Sequence, residues 1–201
     1  MEDIVAIATG RDFDLFGPDI AARRDEIAGC VEGKRFLLIG GAGSIGSATL
    51  RVLSAFAPAA VHVVDQNENN LAELVRDLRS GPRGLSVPDF RCLPLDFGSP
   101  IMHRFLMAQP PYDGILNFAA IKHVRSEKDV CSILQMLDTN VLKTARLLRW
   151  LDGPLAPARF FCVSTDKAAN PVNLMGASKR LMEDVIFSSK WETPPGPRIT
   201  S

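Results

Sequence analysis

Short apolar runs alternate with amphipathic stretches along this chain. Phe36 to Ile39, Val61 to Val64, Phe90 to Leu93, Ile115 to Asn117 and Arg159 to Val163 are brief and continuous rather than alternating. They read as strands covered on both faces. Helical spacing fills the gaps. Ser44 to Phe56 carries Ile45, Ala48, Thr49, Val52 and Phe56 on one face, and Pro58 ends it. Asn67 to Arg79 carries Leu71, Leu74, Val75 and Leu78, with a break at Gly81-Pro82-Arg83-Gly84. Pro100 to Met107 is a short helix stopped by Pro110-Pro111. Val130 to Leu151 is a long one, with Val130, Ile133, Leu134, Leu137, Val141, Ala145 and Leu148 as its face. Leu174 to Ser188 turns Ala177, Leu181, Val185 and Ile186 inward.

This alternation predicts an α/β fold, a doubly wound parallel sheet of the Rossmann type. The expected strand order is 3-2-1-4-5, with the ligand crevice where the order reverses between strands 1 and 4. Arg198 to Ser201 resembles the start of a sixth strand, cut short, after the stiff Thr193-Pro194-Pro195-Gly196-Pro197 segment. Residues 1–34 form an extension whose short helix, capped by Asp19, runs to about Cys30. Residues 35–201 form the nucleotide-binding domain.

Composition narrows the partners. The 201 residues are 46% hydrophobic, with 23 basic and 23 acidic residues, so no net charge favours nucleic acid or an anionic membrane. No run is long and apolar enough for a membrane span, and the start Met-Glu-Asp-Ile lacks a signal-peptide pattern. A cytoplasmic protein is expected. Cys30, Cys92, Cys131 and Cys162 are far apart, which predicts buried reduced thiols. No His/Cys/Asp cluster has metal-ligand spacing, so no metal is expected. His62 and His103 read as core or surface residues, and Met102, Met107, Met136 and Met182 as core filler.

The strongest chemical signal is Gly40-x-x-Gly43-x-x-Gly46, between the first strand and first helix. Such a loop lets backbone amides approach a pyrophosphate and lets the helix start close to the strand. Asp65 ends the second strand nineteen residues after Gly46, where a carboxylate accepts both ribose hydroxyls. It also repels a 2′-phosphate, and no arginine follows it directly, so NAD is favoured over NADP. A turn or helix-capping carboxylate is the alternative use of Asp65. Asp96, past the third strand, stands where an adenine amino group is read, or is a surface turn acid. Asn117-Phe118-Ala119-Ala120 leaves the fourth strand with small residues suited to a nearby ribose, or to plain packing. Val163-Ser164-Thr165-Asp166-Lys167 leaves the fifth strand with a hydroxyl, an acid and an amine in sequence, a compact proton-transfer set. Lys179 lies one helical turn after Met175.

Together these strings resemble an extended short-chain dehydrogenase/reductase. Ser164 to Pro171, Met175 to Arg180 and Ala119 to Val124 narrow the resemblance to the polysaccharide-biosynthesis nucleotide-sugar 4,6-dehydratases, over about Arg35 to Arg180. The resemblance implies a resident NAD that takes a hydride from sugar C4 and returns it to C6 after loss of water across C5 and C6. It implies that Thr165 steadies the sugar 4-oxygen, Asp166 protonates the leaving C6 hydroxyl and Lys167 takes the C5 proton. Lys179 binds the nicotinamide ribose, and Asn140 supports its surroundings. Lys122 and His123 fall near the nicotinamide. The implied cofactor set is Gly40, Gly43, Ser44, Ile45, Gly46, Asp65, Gln66, Asp96, Phe97, Asn117, Ala119, Ala120, Lys122, Asn140 and Lys179. The implied catalytic set is Thr165, Asp166, Lys167, Met175 and Lys179, and the implied substrate is a UDP-N-acetyl-hexosamine.

One position departs from the superfamily pattern. Met175 stands where tyrosine usually serves as the base, and a thioether transfers no proton. Either the site is dead, or it is a methionine subtype in which Asp166, or a water held by Lys179, takes the 4-OH proton. The family's smaller substrate lobe is not visible before Ser201, which leads to the expectation of NAD binding with weak turnover. The edge of strand 5 should need cover, from a second copy of the chain for example. A nucleotide-sugar epimerase or oxidoreductase, and a non-catalytic NAD-binding domain, are the alternative functions.

Overall fold

A computed structural model describes residue 10, residues 17–80, 86–122 and 129–189, and the backbone of 198–200. His123 lies outside the described residues. The strands are β1 (Arg35–Ile39), β2 (Ala60–Val64), β3 (Asp89–Leu93), β4 (Gly114–Asn117), β5 (Arg159–Cys162) and β6 (Arg198–Thr200). They form one parallel sheet in the order β3-β2-β1-β4-β5-β6. The predicted order holds for the first five. The sixth strand pairs with β5 from Arg159↔Arg198 to Phe161↔Thr200. The expected open edge of β5 is therefore covered, and the reason it gave for a second copy falls away.

The helices are α1 (Gly17–Ala22), α2 (Arg24–Val31), α3 (Ser44–Leu53), α4 (Glu68–Ser80), α5 (Pro100–Met107), α6 (Val130–Leu137), α7 (Lys143–Trp150) and α8 (Leu174–Ser188). Alternate β1 residues feed two cores. Leu37 and Ile39 join Met102, Ile115, Leu147, Phe160, Met182 and Ile186 on one side of the sheet. Phe36 and Leu38 join Leu50, Leu53, Val61, Val63, Leu71 and Leu74 on the other. Each such fully buried side chain contributes about 1.5–3 kcal/mol relative to exposure. The expected N-terminal helix is two helices divided at Arg23, and α2 lays Ile27, Ala28 and Val31 against the second core.

Three predicted helix faces are rotated in the structure. In α3 the buried residues are Gly46, Leu50 and Leu53, while Ile45 and Val52 are exposed. A Cβ on Gly46 would stand 2.6 Å from Gly41 Cα, so the glycine must face the loop and its position sets the phase of the helix. In α8 Met175, Gly176, Ser178, Lys179, Met182 and Ile186 are buried, and Leu181 is exposed. Gly176 sets that phase, since a Cβ there would meet the Lys167 carbonyl oxygen at 2.5 Å. The predicted long helix is interrupted by a π turn, Asp138–Leu142. The wider turn shifts the phase of everything before it. Val130 and Leu134 are left outside, and Met136, Asn140, Lys143, Thr144, Leu147 and Leu148 go in.

Smaller corrections follow the same logic. Met107 is 62% exposed rather than core, while Met102, Met136 and Met182 are fully buried. All four cysteines are free thiols, but only Cys162 is buried and Cys131 is exposed. Among the described residues no helix is long and apolar enough to cross a membrane.

Candidate functional site

A cleft of about 800 Å³ opens at the carboxyl ends of β1, β2, β4 and β5. Its floor begins with the glycine loop. Gly40 has φ +69, and a Cβ there would meet Ala119 N at 2.6 Å. Only glycine allows both that conformation and that approach of the two strand ends. Gly40 N donates to Val64 O at 2.7 Å, and Gly43 N donates to Gly40 O at 3.2 Å. Gly43 is the N-cap of α3 and supplies no side-chain cap. The first amides of α3 thus keep their capacity to bind an anion. Asp65 braces this loop. Its Oδ2 accepts the Ala42 amide at 3.2 Å, and its Oδ1 accepts the Asn67 amide at 3.0 Å. Asp65 therefore serves the turn and not as the helix cap, which is Asn67, whose Oδ1 accepts the Asn70 amide at 3.1 Å. Each Asp65 oxygen retains a second lone pair for a ribose hydroxyl.

The far wall begins at Asp96. Lys143 Nζ donates to Asp96 Oδ2 at 2.7 Å, and the Gly98 amide donates to Oδ1 at 2.9 Å. Burial alone would raise the Asp96 pKa. Lys143, the Gly98 amide and a hydrogen bond from Gln66 outweigh it and hold the carboxyl below its usual range. Asn140 stands in the π turn with its side chain fully used. Its Oδ1 accepts Ile121 N at 2.9 Å, and its Nδ2 donates to Ile121 O and to Ser178 Oγ, each at 3.0 Å. It fixes the chain after β4 against α8.

The chemical end lies beyond β5. Thr165 Oγ donates to Asp166 Oδ1 at 2.9 Å and caps the short turn Asp166–Ala168. Asp166 and Lys167 are exposed there. Asn173 caps α8 by accepting Gly176 N at 2.8 Å, which brings Met175 and Lys179 onto the cleft wall. Lys179 is 4% exposed. Its Nζ donates to Val163 O at 2.8 Å and lies 3.6 Å from Met182 Sδ. Burial pushes its pKa down, and nearby Cys162 and Glu183 oppose that only in part. The Cys162 thiol is itself pushed up to about 11 by burial. Ser164 Oγ is buried and has no partner among the described residues.

Of the residues singled out from sequence, Gly40, Gly43, Ile45, Asp65, Gln66, Asp96, Phe97, Ala119, Ala120, Lys122, Thr165, Lys167, Met175 and Lys179 line this one cleft. Five do not. Ser44 is exposed at the start of α3, Gly46 packs on Gly41, and Asn117 accepts the Ala119 amide at 3.1 Å. Asn140 is spent on Ile121 and Ser178, and Asp166 stands just outside, beside Thr165. Lys143, Gln135 and Thr139 also line the cleft and were not singled out, and Ser164, read only as part of the string that leaves strand 5, lines it too. A signal for the first did exist: Asn140, Lys143, Thr144 and Leu147 are spaced i, i+3, i+4 and i+7, as one buried face requires.

Comparison with known proteins places this arrangement. The chain is 34% identical over 167 residues to an uncharacterized membrane protein of Methanocaldococcus jannaschii, covering 82% of this chain and 46% of that one. It is 28% identical over 158 residues to the inverting UDP-N-acetylglucosamine 4,6-dehydratase of Campylobacter jejuni, covering 77% of this chain and 43% of that one. The chain thus spans less than half the length of either relative. The crystal structure of DesIV, a dTDP-glucose 4,6-dehydratase from Streptomyces venezuelae with NAD and TYD bound, superposes with a TM-score of 0.59 at 28% identity. That match covers 76% of this chain and 50% of the other. The family model for "Polysaccharide biosynthesis protein" matches residues 36–195, and the chain belongs to that family.

Proposed function

We propose that this protein is an NAD-dependent nucleotide-sugar 4,6-dehydratase of polysaccharide biosynthesis, acting on a UDP-N-acetyl-hexosamine. The observation that carries the reading is one cleft lined by both the Gly40 loop with Asp65 and the set Thr165, Lys167, Met175 and Lys179. The residues fit a dinucleotide. Glycine at 40 and 46 lets the loop close against Ala119 and start the helix against Gly41, α3 begins without a side-chain cap, and Asp65 offers a carboxylate beside the loop. Bound NAD supplies a hydride acceptor and donor.

The chain's own residues account for the protons. Thr165 Oγ contacts the sugar 4-oxygen and passes the 4-OH proton to Asp166, to which it already donates at 2.9 Å. Asp166, now protonated, returns that proton to the C6 hydroxyl, which leaves as water. Lys167 takes the C5 proton as the C6–oxygen bond breaks and gives a proton back to C5 when hydride is added at C6. This relay needs no tyrosine, so Met175 is compatible with turnover. Lys179 orients the nicotinamide ribose, and a water held by its Nζ is the alternative acceptor for the 4-OH proton.

Two other readings stay in view. An epimerase or oxidoreductase needs no C5 base, whereas Lys167 faces the cleft. A non-catalytic NAD-binding domain is favoured by Met175 alone. Incubation with UDP-N-acetylglucosamine in deuterated water separates the three. A 4-keto-6-deoxy product carrying deuterium at C5 is the expected result. An epimer without loss of water identifies the second reading, and NAD binding with no product identifies the third.

A further inference from the structure

The adenine end of the cleft is built on a lysine that the proposed chemistry does not use. Lys143 is 6% exposed, although it faces the cleft. Its Nζ is 2.7 Å from Asp96 Oδ2 and 3.7 Å from Asp138 Oδ2. Its stem lies in the space left by Gly98, where an added Cβ would collide with Lys143 Cγ. Phe97 is buried beside it, with the ammonium 6.0 Å from the ring centre. Arg146 closes the set, with Nη1 donating to Gly98 O at 2.7 Å and Nη2 3.7 Å from Asp138. The lysine is walled along its stem and held at its head.

Stability does not demand this arrangement. Burying an ammonium is costly, and an apolar side chain of similar volume is often as stabilising. The Asp96 side chain is 36% exposed, so water alone would solvate it. What Lys143 adds is direction. With Oδ2 held by Lys143, Oδ1 by the Gly98 amide and a further hydrogen bond from Gln66, the carboxylate plane is fixed. A carboxylate has about four acceptor sites, so three donors leave about one for the cleft that Asp96 lines. An immobile, ionised acceptor rewards a donor on the ligand and rejects an acceptor at the same place.

We infer that Lys143 is a positioning residue for nucleobase recognition: its ion pair fixes Asp96 as the acceptor for the exocyclic amine of adenine. The cleft then selects a 6-amino purine dinucleotide over its 6-oxo counterpart. The inference rests on the NAD reading above and adds the residue that sets base selectivity.

Titration calorimetry with NAD and with nicotinamide hypoxanthine dinucleotide, in which a carbonyl replaces the 6-amino group, tests it. The wild-type chain should favour NAD by about ten-fold or more. Lys143→Met and Lys143→Gln should bring the two dinucleotides within about three-fold of each other, mainly by weakening NAD. Asp96→Ala should do the same. A merely structural lysine would weaken both dinucleotides in proportion, and an unchanged ratio in a folded Lys143 variant overturns the inference. Unfolding of both Lys143 variants, seen by circular dichroism, also overturns it, because Lys143 is then a folding residue. Failure of the wild type to bind either dinucleotide overturns the NAD reading itself.

Discussion

The two ends of the sheet treat their polar groups in opposite ways. At the amino end, His62 is fully buried on β2, with Nδ1 2.6 Å from the Tyr112 hydroxyl and Nε2 3.1 Å from Asp89 Oδ2. Asp89 also accepts from Arg91 Nε at 2.9 Å and lies 3.6 Å from Arg35. The Arg35 guanidinium covers the Tyr112 ring at 5.6 Å, and its backbone amide donates to Asp113 at 2.9 Å. These groups are spent on one another, Arg35 Nε excepted, which is buried without a hydrogen-bond partner among the described residues. At the carboxyl end, Lys179 has a carbonyl and a thioether, Ser164 Oγ has no partner among the described residues, and α3 starts uncapped. Buried polar groups are normally satisfied, so what the fold leaves over at one end is available to a ligand. The same kinds of residue serve stability at one end and binding at the other.

Substitutions should separate the two ends. The largest effect is expected from Gly40→Val, which puts a branched side chain at φ +69 and its Cβ 2.6 Å from Ala119 N. It should abolish NAD binding and destabilise the chain by about 2 kcal/mol or more, read by calorimetry and thermal unfolding. Lys179→Met should come next. The loss of 4-keto product should be about 10²-fold or greater, while the melting temperature holds or rises because a buried charge is removed. Asp65→Ala should weaken NAD about ten-fold and leave the discrimination against NADP smaller, since the carboxylate that repels a 2′-phosphate is gone.

The smallest effect on NAD is expected from His62→Gln, which should leave affinity unchanged and act on stability alone, by about 1–3 kcal/mol. Its pH signature has a defined sign. Burial lowers the His62 pKa below 6.5, with Asp89 opposing. Above pH 6.5 the imidazole is neutral in both states. Below it the unfolded chain takes up the proton first, so stability falls as pH drops from 6.5 toward the folded-state pKa. Chemical denaturation across pH 5–8 should show this fall in the wild type and a flatter profile in His62→Gln. A change in NAD affinity with the histidine variant would break the division between the two ends.

Strand positions, sheet order and the glycine loop were legible because each rests on local pattern: continuous apolar runs, turn residues, and a fixed spacing to Asp65. Helix phase was not. In α3, α8 and the helix around Asn140, apolar stripes suggested one face and the structure buries another. Close backbone contacts at Gly46 and Gly176 and the π turn at 138–142 decide those rotations, and none of them is a hydrophobic signal. The site was legible wherever a motif sits at a strand end. It was hidden where a polar residue is buried by a distant partner, as with Lys143 on Asp96. His62 shows the converse, a bland residue in sequence that holds the centre of a polar network because Tyr112, fifty residues away, reaches it.

The central claim is that the carboxyl end of the sheet is a dinucleotide site and the amino end is not. Calorimetric titration of the 201-residue chain with NAD tests it most directly, alongside Asp65→Ala and His62→Gln. Saturable binding of one NAD per chain, weakened about ten-fold by Asp65→Ala and unmoved by His62→Gln, is the predicted result. No binding at millimolar NAD, or equal losses from both substitutions, would contradict it.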